Sequence, residues 1–227
     1  MDEARLLTLV GTGGSGKTRL AIEVAAGEPD AMFVDLSPLR TPAQVLPTVA
    51  RALGLREAGA QALVMTLQRY LRTRRVLLLL DNFEHVLDAA GDVAGLLAVC
   101  PQVRMLVTSR APLHVPGEHL LPVAPLRVPD PRCGYVELAA TASAALFVAR
   151  VRAAQPDFAL AEENARTVAE ICVALDGLPL ALELAAAQVR ACGLNETLAR
   201  SRHRFSLLQL PRRGVPPRHR TLAAAVQ

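Results

Sequence analysis

Among the 25 basic side chains of this chain there is a single lysine, Lys17. It stands in Gly11-Thr12-Gly13-Gly14-Ser15-Gly16-Lys17-Thr18, an octet that fits G-x-x-x-x-G-K-[ST]. Everywhere else the sequence uses arginine. A compact ammonium can reach between phosphate oxygens where a planar guanidinium is the wrong shape. Gly-rich loops of this kind aim backbone N–H groups inward as an anion nest, and a following helix adds its positive dipole end. The chemistry implied is nucleoside-triphosphate binding through the segment from Gly11 to Arg19. Lys17 is expected on the β- and γ-phosphates and Thr18 on Mg²⁺.

A second metal-facing group has to come from a neighbouring strand. Asp81 ends the aliphatic run Val76-Leu77-Leu78-Leu79-Leu80, as expected of a strand that delivers one carboxylate to the edge of a sheet. Asp81 could also serve as N-cap for a helix beginning at Phe83. The position after it, where many ATPases carry a second acid to polarise water, is Asn82. Glu84 is the candidate substitute, with a dipole-favoured first-turn Glu as the alternative, so hydrolysis is expected to be slow. Arg110 directly follows another apolar run, Val103 to Val107 with Thr108-Ser109. It reads as a γ-phosphate sensor, or else as half of a surface ion pair.

These groups need a scaffold, and the sequence outlines one. Leu6 to Val10 predicts a strand entering the loop, and Thr18 to Ala26 a helix leaving it. Further strands are expected over 31–36, 75–80, 103–107 and 119–123, with helices from Thr41-Pro42 to Leu53, from Gln61 to Arg72 and from Phe83 to Val99. Unbroken aliphatic strands alternating with helices predict an α/β doubly wound parallel sheet of the P-loop NTPase type. After Pro125, Pro129 and Pro131 the pattern turns all-helical, with helices expected over 136–153, 162–175 and 179–192. The expected division is a nucleotide-binding core at 1–124, a linker at 125–135, a helical subdomain at 136–210 and a further linker from 211.

A length of 227 residues suits a core domain with a small satellite, and 52% apolar residues suffice for its interior. Aromatics supply only 3%, so Leu, Val and Ala must build that interior. No apolar run reaches membrane-spanning length and no secretory signal opens the chain, so a cytoplasmic protein is the expectation. Cys100, Cys133, Cys172 and Cys192 form no C-x-x-C pair and read as small buried apolar residues. The five histidines have no metal-ligand spacing. The arginines from Arg200 to Arg220 read as a solvated linker, with nucleic-acid contact as the alternative.

Taken in order, Gly11 to Thr18, Leu80-Asp81-Asn82-Phe83-Glu84-His85-Val86, Val107-Thr108-Ser109-Arg110 and Gly177-Leu178-Pro179-Leu180-Ala181-Leu182 resemble the STAND class of signal-transduction P-loop ATPases. Within it they are similar to the NB-ARC-like module of large actinobacterial transcriptional regulators, the AfsR/SARP and LuxR-type group. The resemblance implies a switch: ADP holds a closed monomer, and ATP permits self-association. It implies Asp81 as the Walker B residue, Arg110 as the sensor and Pro179 near the adenine. It also makes Arg218-His219-Arg220-Thr221-Leu222 the entry to a winged-helix domain, so that the chain reads as a fragment and DNA would be met only through domains it does not contain.

The competing reading is a P-loop small-molecule kinase or related phosphotransferase, which would need an Arg-rich lid. A nucleic-acid motor is a third. A GTPase is disfavoured, because an Asn-Lys-x-Asp motif cannot exist when Lys17 is the sole lysine.

Overall fold

The computed structural model describes residues 4–55 and 60–202. These fall into two units, one of residues 4–11 and 17–123 and the other of residues 12–16 and 124–202.

The first unit is a parallel α/β sheet. Its strands are β1 (Leu6–Val10), β2 (Ala31–Asp35), β3 (Val76–Asp81), β4 (Val103–Ser109) and β5 (Glu118–Pro122), in the order β2-β3-β4-β1-β5. All four pairings are parallel. The helices are α1 (Lys17–Ala26), α2 (Val45–Ala52), α3 (Ala60–Leu71) and α4 (Ala90–Val99). Side chains along β3 alternate between two apolar layers: Leu78 and Leu80 join a core with α2, α3 and α4, while Leu77 and Leu79 pack with Ala21 of α1. A strand buried on both faces must be apolar at every position, which accounts for the run of four leucines. Burying each contributes about 1.5–3 kcal/mol. This is the expected fold class.

The parallel register decides what meets at the C-terminal edge. Val10 lies opposite Ser109, and Asp35 opposite Asp81. Leu80 lies opposite Val107, so the next residues along, Asp81 and Thr108, come side by side. The loop start, the carboxylate and the end of β4 are brought together by strand pairing alone.

One helix forms differently from its expectation. The sequence predicts a single helix over 83–99. Instead, 3-10 turns at Phe83–His85 and Leu87–Ala89 precede α4. Phe83, Val86 and Ala89 are all fully buried, and a three-residue spacing suits a 3-10 period better than an α-helical one.

The second unit's described elements are α5 (Tyr135–Ala139), α6 (Ala142–Ala154), α7 (Glu162–Ala174) and α8 (Pro179–Arg202). Thr141, extended at the N-cap of α6, divides what the sequence predicts as one helix. The uniformly small residues around it conceal the break. α8 is interrupted at Gly193 (φ +77), and residues 194–202 continue as a helix where the sequence predicts no element. Arg200 and Arg202 therefore belong to a helix rather than a solvated linker, where they pair with Glu196 and Glu170. The remaining arginines of that stretch, and the winged-helix entry at 218–222, lie outside the described residues.

Ala181, Ala185 and Ala186 of α8 are buried beside Phe147, Val151, Val168 and Ile171. Such small side chains let α6 and α7 approach α8 closely. Gly177 (φ +64) precedes α8, and its carbonyl accepts the Leu126 amide at 3.0 Å. A Cβ on Gly177 would lie 2.0 Å from the Leu126 carbonyl oxygen. The glycine of Gly177-Leu178-Pro179-Leu180 is thus required for the chain's close approach to the segment after residue 124. Cys100 and Cys172 are buried as expected, whereas Cys133 and Cys192 are only half-buried. Burial pushes the Cys172 thiol up to about 11.

Candidate functional site

The glycine-rich loop leaves β1 and enters α1. Gly14 and Gly16 take positive φ, +79° and +97°, so that the loop can coil tightly before the helix starts. Within the second unit, Gly14 meets the start of α8: its carbonyl accepts the Leu180 amide at 3.3 Å. A Cβ built on Gly14 would lie 2.9 Å from the Leu180 Cβ, so space as well as backbone angle demands glycine there. Pro179 Cγ lies 3.9 Å from where a Cβ on Gly16 would stand. The Ser15 hydroxyl is buried and has no hydrogen-bond partner.

Lys17 opens α1 and is only 8% exposed. Its Nζ donates to the Gly11 carbonyl at 2.8 Å. Burial holds its pKa below the usual lysine value; Glu84 and Asp81 pull it back up, and Arg110 opposes them. The ammonium is therefore poorly solvated, and a polyphosphate would relieve that cost.

Next in α1, Thr18 donates its hydroxyl to Asp81 Oδ1 at 2.6 Å. The same oxygen accepts the Thr108 hydroxyl, also at 2.6 Å. Thr108 Oγ1 in turn accepts the Asn82 amide at 3.0 Å, and Asn82 Nδ2 donates to Asp81 Oδ2 at 3.3 Å. Asp81 is not the N-cap of the following turn. Asn82 holds that position, at φ +64 and without a side-chain cap. Sequence reasoning gives Thr108 no role. The available signal was a hydroxyl in an apolar strand, one register step beyond Val107.

Glu84 lies in the first 3-10 turn, and Arg110 follows β4. They pair, with Arg110 Nε donating to Glu84 Oε1 at 3.2 Å. Glu84 Oε2 is buried with no partner. Glu84 thus stands in a first turn, and Arg110 in a half-buried ion pair with it. Arg19, by contrast, is highly exposed and lies near Glu23 at 3.7 Å. His85 Nε2 hydrogen-bonds with the Leu36 carbonyl at 2.9 Å, a structural contact.

This donor set suits a magnesium–nucleotide pair. Mg²⁺ favours one or two protein oxygens plus phosphates and water over an all-protein cage. Among the described residues no cluster of three or more His, Cys, Asp or Glu provides such a cage. The Thr18 proton is committed to Asp81, which leaves the hydroxyl lone pairs for a cation. The unpartnered Ser15 hydroxyl and the under-solvated Lys17 suit phosphate oxygens.

The family profile described as AAA domain (AAA_22) matches residues 1–114. The chain belongs to this P-loop ATPase family. It is 41% identical over 230 residues to a Mycobacterium tuberculosis protein provisionally named HTH-type transcriptional regulator Rv0890c, a match covering 100% of this chain and 25% of that one. The chain thus spans about a quarter of the length of that curated relative. Among solved structures it is similar to the Cdc6p of Pyrobaculum aerophilum, with TM-score 0.52 and 18% identity over 82% of this chain and 56% of that one. It is also similar to PH0952 of Pyrococcus horikoshii, a Signal Transduction ATPase with Numerous Domains carrying a tetratricopeptide repeat sensor. There the TM-score is 0.50 and the identity 15%, over 89% and 30% of the two chains. These two likenesses are of fold. Among the described residues no helix is long and apolar enough to cross a membrane.

Proposed function

We propose that the chain is the adenine-nucleotide switch module of a STAND-type, NB-ARC-like transcriptional regulator, binding ATP and ADP with Mg²⁺ and hydrolysing ATP slowly. The observation that carries this reading is the hydrogen bond from Thr18 to Asp81 at 2.6 Å beside the buried Lys17. The AAA domain membership supports nucleotide binding, and the name of the mycobacterial relative supports a regulatory setting.

In this reading, residues Gly11 to Arg19 bind the phosphates, and the backbone amides of Thr12, Gly13, Gly14, Ser15 and Gly16 line the nest. Thr18 and Asp81 hold Mg²⁺, which when bound would offset charge on the β- and γ-phosphates. Arg110 reads the γ-phosphate. Glu84, once Arg110 turns to that phosphate, is left to orient water. Pro179 lies by the adenine. A γ-phosphate can shift the protein's conformation only if one state contacts it better than the other, and the Arg110–Glu84 pair offers such a difference. The functional division would be a core at 1–124, a linker at 125–135, a helical part at 136–210 and the start of a further domain at 211–227. Self-association in the ATP state and contact with DNA through other domains belong to the same reading.

The test is calorimetry with ADP and ATP in the presence and absence of Mg²⁺, alongside identification of any nucleotide retained through native purification. Tightly held ADP supports a locked switch. No heat with either nucleotide on folded protein refutes the reading, and stoichiometric phosphoryl transfer to a metabolite would replace it with a kinase.

A further inference from the structure

We infer that Thr108 is a positioning residue for the metal-binding carboxylate, fixing the orientation of Asp81 from the neighbouring strand without itself touching nucleotide. The inference rests on the switch reading and deepens it.

Thr108 and Asp81 are 1% and 0% exposed. A threonine hydroxyl has one proton, and Thr108 gives it to Asp81 Oδ1 at 2.6 Å. It has none left to donate to a phosphate. Its lone pair takes the Asn82 amide at 3.0 Å. One hydroxyl thereby fixes two consecutive groups at the end of β3: the carboxylate, and the backbone of a residue held at φ +64.

The two oxygens of Asp81 are held unequally. Oδ1 accepts two short hydroxyl hydrogen bonds, from α1 and from β4, whereas Oδ2 has the longer contact with Asn82 Nδ2 at 3.3 Å. Thr18 is the group expected to turn its lone pairs to the cation. It cannot be the sole anchor of the carboxylate that orients its own proton. Thr108 provides a second, metal-independent anchor. Without it the carboxylate could rotate, Thr18 would lose its alignment, and the half-buried Asn82 amide would lose its acceptor.

The same sheet supplies a control. Thr8 on β1 is equally buried, yet its hydroxyl has no hydrogen-bond partner. Burial of a threonine in this sheet therefore does not by itself create such a bond.

The experiment compares wild type, Thr108→Val, Thr108→Ser, Thr108→Cys and Thr8→Val. ATP affinity is followed as Mg²⁺ is titrated, and again in excess chelator. Hydrogen exchange at the Asn82 amide is followed without nucleotide. Thr108→Val is expected to raise the half-saturating Mg²⁺ about 10–100-fold, the usual effect of losing a partner of a metal ligand. Affinity in chelator should stay at the wild-type value, and the Asn82 amide should exchange faster. Thr108→Ser should restore both readouts, and Thr8→Val should match wild type. If Thr108→Val does not fold, Thr108→Cys, of similar shape but a weak donor, should move Mg²⁺ dependence in the same direction.

An unchanged Mg²⁺ requirement in the valine or cysteine variant, or an Asn82 amide as protected as in wild type, overturns the inference while the switch reading stands. Wild-type protein that binds no nucleotide overturns both. Equal loss of affinity with and without Mg²⁺ overturns the inference in favour of a general structural role.

Discussion

Replacing Gly177 by alanine should weaken the helical unit severely, and the cost can be built up from its surroundings. The residue sits at φ +64, where a side chain costs about 1–2 kcal/mol. The added Cβ would stand 2.0 Å from the Leu126 carbonyl oxygen, a backbone atom that cannot swing aside as a side-chain tip can. The segment around Leu126 must therefore move, breaking the 3.0 Å hydrogen bond from the Leu126 amide to Gly177. That loss adds roughly 0.5–1.5 kcal/mol. Displacing Leu126 from the buried cluster it packs against adds more. The two costed terms alone come to about 1.5–3.5 kcal/mol, which for a chain of this size lowers Tm by roughly 3–14 °C. The matched control is Gly95→Ala in α4, where a Cβ meets nothing within 4 Å. That change should stabilise by about 0.5–1 kcal/mol, since alanine is the better helix former. Thermal and urea melts followed by circular dichroism measure both. Were Gly177→Ala to melt with the wild type, the close approach at Leu126 would be refuted.

Lys17→Ala should abolish measurable nucleotide binding in calorimetry while leaving the fold intact, because a buried, under-solvated ammonium is a poor source of stability. In the wild type, nucleotide affinity should fall as pH rises through the lowered Lys17 pKa, because phosphate favours the protonated form; affinity rising over that range would refute this. Asp81→Asn should retain part of the ADP affinity and lose Mg²⁺-dependent turnover, measured by phosphate release. For Cys172, the folded pKa of about 11 exceeds the ordinary 9.0, so its contribution to stability is complete below 9.0 and is lost as pH rises toward 11. Urea midpoints across that range should fall, and Cys172→Ser should lessen the slope.

Strand pairing explains why so much of the sheet was legible. Leu77 to Leu80 must be apolar on both faces, and a run with no polar interruption has few other uses. Asp81 stood out because it ended that run. What was not legible depends on through-space partners. Nothing along the chain pairs Glu84 with Arg110, because only the packing of β3 against β4 brings their loops together. Thr108 escaped notice for the same reason: its role exists only beside Asp81. The break at Thr141 was masked by alanines that favour helix on both sides. At Phe83–Ala89 the burial spacing selected a tighter turn than general helix propensity suggests.

Having one lysine also makes the molecule its own reporter. A lysine-specific protease has a single peptide bond to cut in the whole sequence, the one after Lys17, where the loop passes into the first helix. With that side chain 8% exposed, cleavage has to await local opening of the helix start. The rate of one cut, read on a gel, would then measure how often the start of α1 comes undone, and how far any added compound holds it shut.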